Sequence, residues 1–222
     1  EGMKEACEFL NFPVVSGNVS FYNETNSKSI FPTPVIGGIG IFDNLNKIIN
    51  MKTKKVGNII IVIGKTFGHL NQSAFIRDLY LINDGPPPEI NLTNEKNNGD
   101  SVSDLIKKNL VSSCHDISSG GILIALAEMS MLSMLGLKIN KPKRFTDLNE
   151  YFFAEDQGRY LIEIERDNLD KVEAILKKNN TFYEVVAEVQ NDIFEIDKIL
   201  RIKTEELYKC NNQWFNKFNA IN

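Results

Sequence analysis

Three short stretches hold most of the residues that could do chemistry. The first is "PVVSGNVSFYNE", in which Gly17, Asn18 and Ser20 follow two valines. A glycine at the end of a strand lets the backbone approach a ligand closely. An asparagine carbonyl is a neutral oxygen ligand, suited to Mg²⁺ when phosphates carry the negative charge. A serine hydroxyl can bond a phosphate or a substrate oxygen. The same residue types also build ordinary turns in which Asn and Ser bond their own backbone, and local chemistry leaves both readings open.

The second stretch is "SSCHDISSGGILIALAEM", residues 112–129. Gly120 and Gly121 stand where a helix is predicted to begin, and free N–H groups with the helix dipole favour an anion there. The alternative is that the glycines allow tight helix–strand packing. His115 and Asp116 are not read as a catalytic dyad, because neighbours on a strand point to opposite faces. No serine or cysteine has a G-x-S-x-G context. The third stretch is "FFAEDQGRYL", with Glu155, Asp156, Gln157 and Arg159 just before a strand. Two acids can chelate a cation or orient an amine. The alternative is a solvated turn in which Arg159 pairs locally. "GKTFGHLNQS" lacks P-loop order, and His69 reads as a loop residue.

Around these stretches the predicted elements alternate between strand and helix. A helix is expected over residues 2–10, a short strand at "FPVV", a polar loop over 16–29 and a buried strand in "TPVIGGIGIF". The polar connector over 43–55 marks a domain boundary. "NIIIVIG" is a fully apolar strand of the buried kind. Helices follow at "NQSAFIRDLYLIN" and "SVSDLIKKNL", the latter starting on a Ser101–Asp104 capping box. "VSSCHDI" reads as a strand, residues 119–135 as a buried helix, "LGLKIN" and "GRYLIEIE" as strands, and "DNLDKVEAILKKNN" as an amphipathic helix. "YEVVAEVQNDIFEI" reads as a hairpin turning at Gln190-Asn191-Asp192. Thr204 caps a last helix whose Trp214 cluster is expected in the core. The class is α+β, or α/β, with a mixed sheet flanked by helices.

A net charge of −4 with no basic stripe argues against nucleic acid and anionic membranes as partners. Three widely spaced cysteines, Cys7, Cys114 and Cys210, form neither a metal motif nor a disulfide framework, which suits a reducing, cytoplasmic setting. No apolar run reaches membrane-spanning length. The chain begins inside a predicted helix without a natural start, so a piece of a longer protein is expected.

Taken in order, "VVSGNVSFYNET…FPTPVIGGIG", "GHLNQS", "PPPEINL", "SSCHDISSGGILIALAEM" and "AEDQGRYLIEI" resemble phosphoribosylformylglycinamidine synthase. The likeness is to the large synthetase subunit of the small, multi-subunit bacterial type, and it runs from about Gly2 to Phe218. "HDISSGG" alone would mark only the wider superfamily, which includes aminoimidazole ribotide synthase. The resemblance implies that residues 1–50 end a second ATP-binding domain of the AIR synthase N-terminal type. Residues 51–222 would be a complete AIR synthase C-terminal-like domain. It implies ATP-dependent amidation of formylglycinamide ribonucleotide, with ATP and Mg²⁺ required. A glutaminase subunit and a small bridging subunit are the implied partners. By the same resemblance Gly17 would contact ATP, Asn18 would ligate Mg²⁺ and Ser20 would touch the ribonucleotide, while the catalytic histidines fall in a domain this chain lacks. The isolated chain is then expected to be inactive. Alternatives are another enzyme of the superfamily, aminoimidazole ribotide synthase among them, or a non-catalytic docking module. Ser119, Asp156 and Asn71 depart from the commonest family pattern, and an added acid at 156 would repel a phosphate there.

Overall fold

The computed structural model describes residues 1–18, 23–30, 33–42 and 44–219, so Ser20 lies outside the described residues. The chain forms two compact units, residues 1–46 and 47–222. The first contains helix α1 (Gly2–Phe9) and a small hairpin, β1 (Glu24–Thr25) with β2 (Lys28–Ser29). Asn26 and Ser27 turn that hairpin with positive φ of 51° and 61°, the backbone twist a two-residue hairpin demands.

The apolar runs at 12–15 and 33–42 are not strands, contrary to expectation. Val35 and Ile39 are 94% and 93% exposed. A strand exists only where a neighbour supplies N–H and C=O groups, and among the described residues no segment pairs with either run.

The second unit is built on a seven-stranded sheet in the order β4-β6-β3-β7-β5-β8-β9. Its strands are β3 (Ile59–Ile63), β4 (Ser113–Asp116), β5 (Gly136–Ile139), β6 (Tyr160–Ile164), β7 (Tyr183–Gln190), β8 (Ile193–Ile196) and β9 (Leu200–Lys203). Helices α2 (Ala74–Tyr80), α3 (Leu92–Lys107), α4 (Gly121–Ser133), α5 (Leu148–Phe153), α6 (Leu169–Lys178) and α7 (Thr204–Asn219) accompany it. All neighbouring strands are antiparallel except the β5–β8 pair.

β3 shows why the sheet has two faces of core. Its alternation sends Ile60 and Val62 into a cluster with α4 and α5, and Ile59, Ile61 and Ile63 into a second cluster with α3 and α6. Burying each such side chain contributes about 1.5–3 kcal/mol. Continuous apolar character therefore marks a central strand here although both its pairings are antiparallel.

Three expectations are corrected. First, β7 and β8 do not pair: β5 lies between them, parallel to β8. The Asn191–Asp192 link passes over the start of β5, where the N–H of Gly136 donates to Asn191 O. Any side chain at Gly136 would overlap the backbone of Ile193. Second, α3 begins nine residues before Ser101, capped by the Asn91 side chain, which accepts from Asn94 N at 2.9 Å. Ser101 is buried within the helix and lies 2.8 Å from the Thr181 hydroxyl. The polar first turns of α3 carry no apolar period, so tertiary packing reveals them and local pattern does not. Third, Trp214, Phe215 and Phe218 of α7 are exposed, while Leu207 near its start packs against the core.

Candidate functional site

Antiparallel pairing gathers the quoted motifs at one end of the sheet. The last residues of β3 and β4, Ile63 and Asp116, both stand opposite Tyr160, the first residue of β6. The loops after β3 (64–69), after β4 (117–120) and before β6 (154–159) therefore meet.

The stretch before β6 is a buried clamp and not the solvated turn expected. Arg159 is 1% exposed. Its Nε donates to Asp156 O at 3.0 Å, Nη1 to Thr66 Oγ1 at 3.0 Å and Nη2 to Ala154 O at 2.7 Å. Asp156 is also buried, and its carboxylate accepts from the N–H groups of Phe67 at 2.8 Å, Gly68 at 3.1 Å and His69 at 3.4 Å. Asp156 thus holds the 67–69 loop. Burial pulls the Arg159 guanidinium down from its ordinary value, opposed by the charge of Asp156.

Glu155 performs a second internal service. One of its oxygens accepts from Ala74 N at 2.7 Å and Gly120 N at 2.8 Å, at the starts of α2 and α4. The anion favoured at these helix starts is here a carboxylate of the chain itself. At Gly121, φ is +71°, and a Cβ would come within 2.7 Å of the carbonyl oxygens of Phe152 and Ala154. Close packing of α4 against α5 requires the glycine.

His115 does contact Asp116, against the strand-geometry argument: Nδ1 lies 3.2 Å from Asp116 Oδ1, and Nε2 lies 2.9 Å from Glu128 Oε2. Asp116 ends β4, so strict alternation lapses there and its short side chain reaches back. Both ring nitrogens face carboxylates, which leaves none to take a proton from a nucleophile. The neighbouring Cys114 thiol is pushed up to about 12 by burial and then by Asp116, so it stays protonated and unreactive. His69 Nε2 lies 2.9 Å from Pro86 O.

A cavity of about 300 Å³ opens beside the clamp, lined by Glu95, Asp116, Ser118, Ser119, Glu155 and Gln157 among others. Its acids disfavour a phosphate, yet among the described residues no three of His, Cys, Asp and Glu come together as metal ligands. Burial raises the Glu95 carboxyl above its ordinary range. Because the folded value lies above the unfolded one, ionising Glu95 opposes folding. The penalty is absent below the usual carboxylate range and complete once pH passes the raised value. Glu95→Gln therefore raises stability at neutral pH, by less than about 1 kcal/mol given its solvent exposure, and the gain vanishes on acidification. Urea melts at pH 7 and pH 4 check this, and an equal difference at both would refute it.

The family model for AIR synthase related protein, C-terminal domain, matches residues 55–197. The chain belongs to the AIR synthase related family. It is 44% identical over 98% of its length to phosphoribosylformylglycinamidine synthase subunit PurL of Pelagibacter ubique (strain HTCC1062), and covers 30% of that protein. It is 40% identical over 98% of its length to the same subunit of Bartonella bacilliformis, covering 29% of it. The chain thus spans about 30% of the length of these curated relatives. Among solved structures, Thermotoga maritima PurL complexed with FGAR matches with a TM-score of 0.65 and 20% identity, over 74% of this chain and 30% of that one. This likeness shows a shared fold. In this chain Glu155 of "AEDQGR" ties down Gly120 of "HDISSGG", and Asp156 holds the loop after β3.

Of the residues singled out, Gly120, Gly121, Glu155, Asp156 and Arg159 come together. Gly17 and Asn18 lie in an irregular, exposed segment of the first unit. Sequence reasoning missed Glu163, Thr66 and Asn98. Glu163 looks like the polar half of an alternating strand, and its partners lie 50 to 109 residues away, so no local signal marks it.

Proposed function

We propose that the chain is part of the synthetase of phosphoribosylformylglycinamidine synthase, acting in purine biosynthesis in the cytoplasm. The observation that carries this reading is 44% identity to the Pelagibacter ubique subunit across 98% of the chain. Residues 1–50 then close a second ATP-binding domain and residues 51–222 form a second C-terminal domain. In the reaction, the formyl amide oxygen of formylglycinamide ribonucleotide takes a phosphoryl group from ATP, releasing ADP. Ammonia then displaces phosphate to give the amidine. A glutaminase subunit supplies the ammonia and a small bridging subunit completes the assembly.

In this reading Gly17 contacts ATP, Asn18 binds Mg²⁺ and Ser20 contacts the ribonucleotide. The open segment around Gly17 suits the first role, since among the described residues nothing lies within 4 Å of where its Cβ would stand. Asn18 would be one neutral oxygen ligand of a cation whose charge the phosphates balance. Bound Mg²⁺ would supply charge neutralisation of the phosphates. No acid or base is assigned to this chain, since His115 and His69 already have partners.

The test is a chimaera in which this chain replaces the matching part of the Pelagibacter ubique subunit. It should form the amidine from ATP, ribonucleotide and ammonia, while the 222-residue chain alone should not. Asn18→Ala in the chimaera should lower activity roughly 10–100-fold with a raised Mg²⁺ requirement. A folded but inert chimaera, or turnover by the isolated chain, would overturn the reading. An unaffected Asn18 variant would overturn the metal assignment.

A further inference from the structure

Three cations line one cavity in the second unit, which borders the clamp at Thr66 and Phe67. The cavity, about 550 Å³, is bounded by the residues after β3 (Lys65, Thr66, Phe67), by 142–145 after β5, by Tyr151, and by 182–184 at the start of β7. That volume lies within the roughly 300–1,000 Å³ of small-ligand sites. Among the described residues Lys65, Lys143 and Arg144 form no ion pair, whereas five lysines pair with an acid four residues away. Lys65 Nζ stands 5.0 Å from the centroid of the Phe67 ring.

Aromatic rings form part of the cavity wall. Phe67 is 65% exposed and Phe182 is 37% exposed, and Phe145 lines it with them. Exposed phenyl faces beside unpaired cations present a stacking surface and a positive field together. The single acid, Glu184, accepts from the Tyr151 hydroxyl at 3.3 Å. Burial, and then Glu184, push the Tyr151 phenol well above its ordinary value, so it remains a donor. Glu184 keeps lone pairs that can accept from ligand hydroxyls.

We infer that this cavity is a binding site for a nucleoside monophosphate. Lys65, Lys143 and Arg144 take the phosphate, the phenylalanine faces take the base, and Glu184 accepts from ribose hydroxyls. The acidic cavity beside Glu155 has the opposite charge and cannot serve the same ligand. The inference goes beyond the synthetase reading and does not depend on it.

Titration calorimetry of the 222-residue chain with AMP, UMP, ribose 5-phosphate and inorganic phosphate tests it. AMP or UMP should bind saturably, with ribose 5-phosphate and phosphate at least about tenfold weaker, since neither carries a base to stack on an aromatic face. The double variant Lys143→Gln, Arg144→Gln should weaken nucleotide binding at least about tenfold through lost charge-assisted hydrogen bonds. Phe67→Ala should weaken it about fivefold or more through lost stacking. These side chains are exposed, so an unchanged melting curve certifies the fold of each variant. Saturation by neither nucleotide, affinity unmoved by the double variant, or ribose 5-phosphate binding as tightly as AMP would each overturn the assignment.

Discussion

Replacing Glu163 by alanine lowers the stability of the second unit by about 3–5 kcal/mol, the range for breaking a buried charged network. Glu163 is 0% exposed, in the middle of β6. Its carboxylate accepts from Lys54 N at 2.9 Å, Lys55 N at 3.2 Å, Asn58 Nδ2 at 2.8 Å and Ser113 Oγ at 2.8 Å. Every partner is a donor, so alanine leaves the buried Asn58 amide and Ser113 hydroxyl unmet, each at a cost of about 1–3 kcal/mol, and frees two part-buried backbone N–H groups. Glu163→Gln should recover only part of the loss, because its amide NH₂ must face at least one donor. Chemical denaturation of the three proteins decides the matter. Parent-like stability in Glu163→Ala would show that the 53–58 segment, which leads into β3, is held by something else.

Arg159→Ala should cost a similar amount, about 3–5 kcal/mol, with a different local signature. The guanidinium joins Asp156, Thr66 and Ala154 through three divergent bonds. Without it, buried Asp156 loses a favourable charge interaction and the 64–69 loop loses an anchor. Amide exchange at Phe67 and Gly68, whose N–H groups bond Asp156, should accelerate before global unfolding does. Arg159→Lys should rescue little, since a single ammonium cannot reproduce the planar fork. Unchanged exchange at these two amides in a destabilised variant would sink the clamp description while leaving the stability effect.

The clamp and the sheet also show what local sequence does and does not encode. The strand "IIIVI" and the helix after "SSGG" were legible because a continuous apolar run has nowhere to go but a core. The amphipathic α6 was legible from its 3.6-residue period, and Val172 and Leu176 are indeed buried. The first turns of α3 were not, because the residue they bury is Asn98, a polar group satisfied by distant Gly158. The exposed runs at 12–15 and 33–42 read as strands from composition, yet a ladder needs a second segment.

By itself the sequence determined the class, the central strand, the main helices and the family, because side-chain periodicity and motif order are local quantities. Only the tertiary structure decided which strands are neighbours, since β5 enters between β7 and β8 through pairings far apart in the chain. Only it decided the fate of the acids. Glu155, Asp156 and Glu163 look like surface charge or ligand chemistry when read in line. In the fold each bonds backbone N–H groups brought from elsewhere, because a buried donor must find an acceptor and the nearest one in space is not the nearest in sequence.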